Sequence, residues 1–383
     1  MLVALGVPIA SPASALMSDR VGETIRVPED HLTIQAAIDA ASSGDVIDIA
    51  AGTYVQNLTV DVGVTLRARA FSPTDPRRNT TILDGAGKDV VTIPLGVTPA
   101  PSFIGLVIAD GDNGIVTNSR ARVTHSYFTG NAYDALEYDL GGGGVSLHNL
   151  MVRNGDDGID IDHAIKDVRI EDTRILRSGD DGIEIRLHDD VIAHTAEISI
   201  LDSQIVGSGQ DGIQLIDYFA DTNRRIVIRA SLIRDITMAA IGMMDNAETN
   251  EDFRAASIRE RVHVFHNTFV DNARGISGGN NVIALNNIFA GHALALKRVD
   301  GASVASYNLF WRNAIDAANS TLVRSTSVFA DPRLTAAYHL RGGSPAVDAG
   351  TARFRWKGVV VMDQRRARYE GEAPDIGWFE LRR

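Results

Sequence analysis

Short apolar runs, each interrupted by one small polar residue, recur along most of the chain. The segments 168–175, 198–205, 226–233, 262–269 and 282–289 share the pattern apolar-x-apolar-x-x-(Ser/Thr/Asn)-x-apolar. This is the pattern of a short strand, a tight bend and a second strand. Taking the small polar residue as a marker gives Ser126, Thr173, Ser203, Ser231, Asn267, Asn287 and Asn308, with Leu150 an apolar exception. A second pattern interleaves with it: Asn113-Gly-Ile, Asp134-Ala-Leu, Asp157-Gly-Ile, Asp181-Gly-Ile, Asp211-Gly-Ile and Arg274-Gly-Ile.

A period of about 20 to 25 residues, with several β-rich runs per period and no helical periodicity, predicts an all-β parallel solenoid whose turns stack on one another. Leucine-rich repeats share the period but need a Leu-x-x-Leu-x-Leu frame, which is absent. Alternate apolar residues such as Ile159 and Ile161, or Ile183 and Ile185, point inward, and the residues between them project outward. Asn267, Asn287 and Asn308 are expected to form an internal asparagine ladder. One exception to the β pattern is residues 32–41, LTIQAAIDAA, where Ile34, Ala37, Ile38 and Ala41 make one face of a short amphipathic helix. That helix can cover the open end of the first coil. Residues 1–15 are apolar and end in Ala13-Ser14-Ala15, which reads as a signal peptide. The expected layout is residues 22–335 as the solenoid with its N-terminal cap and 336–383 as a C-terminal capping tail. The expected location is secreted or periplasmic.

Composition narrows the chemistry. The chain has 383 residues, no cysteine, and 37 basic against 49 acidic residues for a net charge of −12. Disulfides, thiolate nucleophiles and cysteine-ligated metals are excluded. A nucleic-acid footprint or an anionic-membrane partner is not expected, and no apolar stretch is long enough to span a membrane. A monomer is expected.

Stacked in register, the coils concentrate their acids. One outward row holds Glu137, Asp160, Glu184 and Gln214, and the next holds Asp139, Asp162, Arg186 and Ile216. A third row, at the entrance to the strand, contains Asp134, Asp156, Asp157, Asp180, Asp181 and Asp211. Directly opposed carboxylates destabilise a sheet. A bound hard cation, raised carboxyl pKa values or plain solvation can offset the repulsion. Asp-Asp-Gly is also ordinary turn sequence, in which Asp caps and Gly supplies positive φ. Insertions at 187–197, 216–225 and 243–261 leave from equivalent points of successive coils, so they should form a wall beside the acidic strands. A wall beside a flat sheet makes a groove suited to a linear polysaccharide, with Tyr218, Phe219 and Phe253 as candidate sugar-stacking rings. His163, His188 and His194 lie near the acids.

These features resemble the right-handed parallel β-helix of the pectin-lyase-like superfamily over nearly the whole chain. Residues 44–54, GDVIDIAAGTY, and the closing segments 343–350, GSPAVDAG, and 375–380, DIGWFE, are similar to segments of secreted members. Within that superfamily, Asp156-Asp157-Gly158-Ile159-Asp160 resembles the calcium motif of family-nine pectate lyases. The resemblance implies a Ca²⁺-assisted polysaccharide lyase acting on a uronic-acid polymer, with Asp134, Asp157, Asp160 and Asp181 as ligands and Lys166, Arg186 or Arg224 as the base. No lysine lies between Lys166 and Lys297 to match that family's catalytic lysine. The same coils also resemble family-28 polygalacturonases, for which Asp157, Asp180 and Asp181 would act as general acid and bases of an inverting hydrolase. Glu184 joins the candidate catalytic group. Glu137, Asp139, Asp162, His163, His188, Tyr218 and Arg224 are candidate substrate-binding residues. A noncatalytic carbohydrate-binding β-helix is the remaining alternative.

Overall fold

The computed structural model describes residues 22–164, 166–189, 195–220, 222–247, 253 and 257–382. The expected signal peptide and His194 lie outside them. Each coil contributes one strand to each of three parallel sheets. In chain order within a coil these are sheet one (12 strands, from Thr24–Val27 to Val304–Ser306), sheet two (12 strands, from Gly52–Val55 to Val328–Phe329) and sheet three (11 strands, from Leu58–Thr59 to Ile315–Ala318). This is the parallel solenoid predicted by the repeats, in the right-handed β-helix form that the family resemblance implied. Among the described residues, no helix is long and apolar enough to cross a membrane.

The core follows from register. Parallel stacking puts equivalent residues about 4.8 Å apart, so like sits on like. Ile159, Ile183, Ile213 and Ile241 form one inward column on sheet three. On sheet two the rings of Phe269, Phe289 and Phe310 stack at centroid distances of 5.0 and 5.2 Å. The helix Ile34–Ala40 is capped by Thr33, whose Oγ1 accepts from Ala36 N–H at 3.2 Å. It buries Ile34, Ala37 and Ile38 against the first coil, as its apolar face predicts.

Strand hydrogen bonds cannot serve the corners, where the chain turns out of one sheet and into the next. Buried N–H groups there need other acceptors. Between sheets one and two the corner is a single left-handed residue followed by a polar one. His125, His148, Asp172, Asp202, Ala230, His266, Asn286 and Tyr307 all have positive φ. The polar residues after them form one column. Ser231 N–H donates to Asn267 Oδ1 (3.0 Å), Asn267 N–H to Asn287 Oδ1 (2.8 Å) and Asn287 N–H to Asn308 Oδ1 (2.8 Å). Toward the N-terminus serine, threonine and Asn149 occupy the same column. The apparent exception at Leu150 was a one-residue misregistration, because the column passes through Asn149 and Leu150 begins the following strand.

Of the tail expected as a cap, residues 336–383, the described residues 336–382 lie along the side of the last coils. Leu340, Ala346 and Ile376 pack on Ile288 and Leu309 outside sheet two. The hairpin Arg353–Trp356/Val359–Asp363 covers Phe265, Ile283 and Leu285 outside sheet one. These outward residues are apolar because the tail buries them.

Replacing Asn287 by Ala removes the acceptor for Asn267 N–H and the donor to the Val264 carbonyl, which lies 2.8 Å from Asn287 Nδ2. Asn287→Ala should lower unfolding free energy by about 2–3 kcal/mol. Asn267→Ser should cost less, since serine holds this column at Ser203 and Ser231. Chemical denaturation of both variants measures the difference, and equal midpoints would show that the column adds nothing.

Candidate functional site

The acids predicted to cluster do so on sheet three, in strands Leu136–Tyr138, Ile159–Ile161, Ile183–Leu187 and Ile213–Asp217. Glu137 pairs with Asp160, Asp160 with Glu184 and Glu184 with Gln214 in direct register. The row then reaches Gly242, Ser277 and Lys297, so acids occupy only part of it.

The entrance row has a different function from the one its charge suggests. Asp134 Oδ1 accepts from Asp157 N–H at 2.9 Å, Asp157 Oδ1 from Asp181 N–H at 2.7 Å, Asp181 Oδ1 from Asp211 N–H at 2.6 Å, and Asp211 Oδ1 from Ala239 N–H at 2.7 Å. Asn113 precedes them, accepting from Asp134 N–H at 3.0 Å. This is a second corner ladder. One oxygen of each aspartate is committed to the backbone, and all four aspartates are buried.

Burial and mutual repulsion shape the acidities. Burial, opposed by the Asp157 N–H and reinforced by Asp156 and Glu184, pushes the Asp134 carboxyl up to about 7. Burial and then Asp134 and Asp139 push Glu137 up to about 7. Asp157 is raised well above the usual carboxylate range by burial, then Asp181 and Asp134. Asp160 is raised likewise by burial, then Glu184 and Asp134. Burial and Asp156 raise Asp180. Glu184 is raised by burial, although the adjacent Arg186 opposes this.

Two groups of carboxylates approach closely enough to share a cation: Asp157, Asp160 and Glu184, and Asp156, Asp157 and Asp180, each with ligand oxygens within 4.8 Å of one another. Asp160 Oδ1 is buried without a hydrogen-bond partner. A desolvated carboxylate oxygen aimed at other carboxylates, with no donor, fits a hard cation. Of the expected ligands, Asp157 and Asp160 belong to the first group, with Glu184 beside them, while Asp134 and Asp181 belong to neither and serve as acceptors in the corner ladder.

Beyond this row lies a mixed cluster. Asp162 Oδ1 is 2.9 Å from His188 Nε2 and 3.7 Å from Arg186 Nε, and Asp162 Oδ2 is 3.8 Å from His163 Nε2. His188 is sandwiched between His163, at 3.8 Å between centroids, and Tyr218, at 4.1 Å. Arg186 hydrogen-bonds Glu184 and also interacts with the Tyr218 side chain. Burial pulls the Arg186 pKa down, but Glu184, Asp160 and the bond to Glu184 outweigh it and hold the guanidinium above its ordinary value. The other candidates lie apart. Arg224 is 4% exposed, with its guanidinium on the Ala164 and His188 carbonyls at 2.8–3.3 Å, where it fastens the corner behind the histidines. Lys166 sits past the strand on the corner leading to Val168–Glu171, its Cβ beside Gly143. Asp139 ends the first acidic strand, its carbonyl taking the Gly142 N–H at 2.6 Å.

The described parts of the insertions are tied to one another. Asp189 Oδ1 accepts from Phe219 and Ala220 N–H at 3.0 and 2.7 Å, and Asp217 Oδ2 from Arg259 N–H at 3.1 Å. Sequence reasoning missed Asp189 and Asp217 because their partners lie 30 and 42 residues away. Of the expected sugar-stacking rings, Phe219 is 64% exposed and Tyr218 lies tilted against His188. Phe253 is 0% exposed and cannot serve. It folds over Gly242, where a Cβ would fall 2.6 Å from its ring and 1.6 Å from Asp211 Oδ2, and it ends the acidic strip there.

The fold is the parallel β-helix also seen in solved structures of carbohydrate-active proteins. No family model matches the chain, and no curated protein matches it in sequence. Among solved structures, pectate lyase Pel9A is similar over 91% of both chains, with a TM-score of 0.56 and 14% identity. An alginate lyase from Paenibacillus sp. str. FPU-7 (13% identity, TM-score 0.31) covers 79% of this chain and 95% of its own. A pectin methylesterase from Aspergillus niger (12%, 0.27) covers 79% and 87%.

The raised pKa values set the sign of a pH dependence. Asp134 and Glu137 hold protons more tightly folded than unfolded, so their contribution to stability is complete below about pH 4 and is lost as pH rises through about 7. In chelator, Tm should fall by roughly 5 °C or more between pH 5 and 8. Asp134→Asn, which keeps the ladder acceptor as Asn113 does, should flatten the fall. Calcium should raise Tm more at pH 8 than at pH 5, measured by differential scanning calorimetry.

Proposed function

We propose that the protein is a Ca²⁺-assisted polysaccharide lyase acting on a uronate-containing chain laid along the outward row of sheet three. The observation that carries this reading is the direct stacking of Glu137, Asp160 and Glu184, with a partnerless Asp160 oxygen at its centre. Asp157, Asp160 and Glu184 would hold the cation, which when bound neutralises the substrate carboxylate and acidifies the proton on the carbon next to it. The similarity to pectate lyase Pel9A supports the architecture.

The chain's own residues divide the remaining work. Arg186, its proton held by Glu184 and Asp160, is a poor base and a good partner for a uronate carboxylate. Its ring fixed between His163 and Tyr218 and its Nε2–H donated to Asp162, His188 presents the lone pair of Nδ1. It takes the proton. The C–H electron pair then forms the double bond as the glycosidic oxygen leaves. An inverting hydrolase needs carboxyls about 6.5–9.5 Å apart to admit water, whereas Asp157 and Asp180 bring oxygens within 4.8 Å of each other, and Asp157 and Asp181 each commit one oxygen to the corner ladder.

On a panel of uronate polymers, activity should appear as unsaturated product absorbing in the ultraviolet and should be abolished by chelator. Asp160→Asn and His188→Ala should each reduce kcat by about 100-fold or more, some 2.7 kcal/mol. Calcium should still raise Tm in His188→Ala but not in Asp160→Asn. Reducing sugar released without ultraviolet absorbance would identify hydrolysis instead.

A further inference from the structure

Around the corner from the acidic strands, on sheet one, the surface reverses its charge. A cleft of ≈ 520 Å³ lies between the outer face of that sheet and the tail segment 361–368. Register builds the floor. Arg225 stands between Glu197 and Arg261 in one outward row, and Arg229 between Leu201 and Phe265 in another. His263 occupies the row between them, beside Val227. Arg365 and Arg368 form the opposite bank, positioned by the hairpin that packs on Phe265 and Ile283. Four arginines thus face two carboxylates, Glu197 and Asp363, in a chain of net charge −12.

Arg225 is ion-paired with Glu197. Arg229 is half-buried and, among the described residues, has no side-chain hydrogen bond or ion pair; burial and then Arg368 push its pKa down, with only the Asp202 carboxylate, outside the cleft, acting against them. Holding two guanidinium groups together in a partly desolvated cleft is unfavourable without an anion. His263 lies beside them with its ring stacked on Phe265 at 5.0 Å and its Nε2 buried and partnerless. Burial, then Arg225 and Arg261, push this histidine down to about 4. At neutral pH the ring is therefore uncharged and can present an N–H to a ligand oxygen.

The geometry points to a second carbohydrate site, in which Arg229 and Arg368 clamp the carboxylate of an acidic sugar and the sugar ring packs against His263, whose own ring is backed by the buried Phe265. Guanidinium groups match a carboxylate in planar, bidentate fashion, and flat side chains suit the apolar face of a sugar. Binding here needs no cation, the reverse of the acidic strip. The charge reversal stands by itself; the choice of a uronate as ligand rests on the proposed function.

The test is titration calorimetry in EDTA, with an oligogalacturonate and an oligomannuronate as probes. Wild-type protein should bind one of them saturably. Arg229→Gln/Arg368→Gln, with its Tm unchanged, should bind at least tenfold more weakly, and Asp160→Asn should bind as wild type does. Equal affinity in the arginine variant, no binding of either probe, equal binding of a fully methyl-esterified oligomer, or tighter binding of a single-stranded oligonucleotide would overturn the inference. Turnover with calcium is assayed in parallel. Turnover without EDTA-resistant binding counts against the cleft alone, and EDTA-resistant binding without turnover counts against the lyase reading alone.

Discussion

Every coil must turn three corners, and at each corner the backbone leaves the sheet that would satisfy its N–H groups. The structure depends on side chains that replace those bonds. Between sheets one and two the replacement is the serine, threonine and asparagine column ending at Asn308; before sheet three it is the run from Asn113 through Asp211. Without such acceptors each turn would bury unsatisfied donors at a cost of about 1–3 kcal/mol apiece. That cost would recur at every coil.

The second ladder explains why chemistry and scaffold are hard to separate on sheet three. Carboxylates that accept backbone bonds are held rigidly, and the charge of one of them, Asp134, raises the pKa of the outward acids Glu137 on its own coil and Asp160 on the next. Asp134 appears among the groups that raise Glu137, Asp157 and Asp160. A row built to satisfy the backbone thereby sets the field of the row that faces a ligand. Rigidity of this kind is what a binding constellation needs from the residues that support it.

The fold was legible because the coil imposes a repeat that survives as alternating apolar residues. The outward acid row was legible for the same reason, since register follows from counting once Ile159, Ile183 and Ile213 are aligned. The roles within it were less so. Aspartate serves equally as a corner acceptor and as a ligand. The one sequence signal separating the two was Asn113, an amide at the place where later coils carry Asp. The histidine–tyrosine stack joins residues 163, 188 and 218 from three coils, and no local pattern announces such contacts. Phe253 looked exposed because its insertion is polar, but Gly242 leaves the space into which it folds. The tail's contribution to the basic cleft was invisible to periodicity, because Arg368 reaches Arg229 only through tertiary packing.

The two ladders run with opposite polarity. In the asparagine column each side-chain oxygen serves the N–H of the preceding coil, whereas in the aspartate column it serves that of the following coil. The coil of Ser203 and Asp211, for example, offers one acceptor backward and one forward and receives one of each. A copied coil spliced beside its original would find both neighbours already complementary. Growth by tandem duplication is thus built into the bonding rules of the solenoid, and the length of its binding faces can change in whole coils without redesign of the interior.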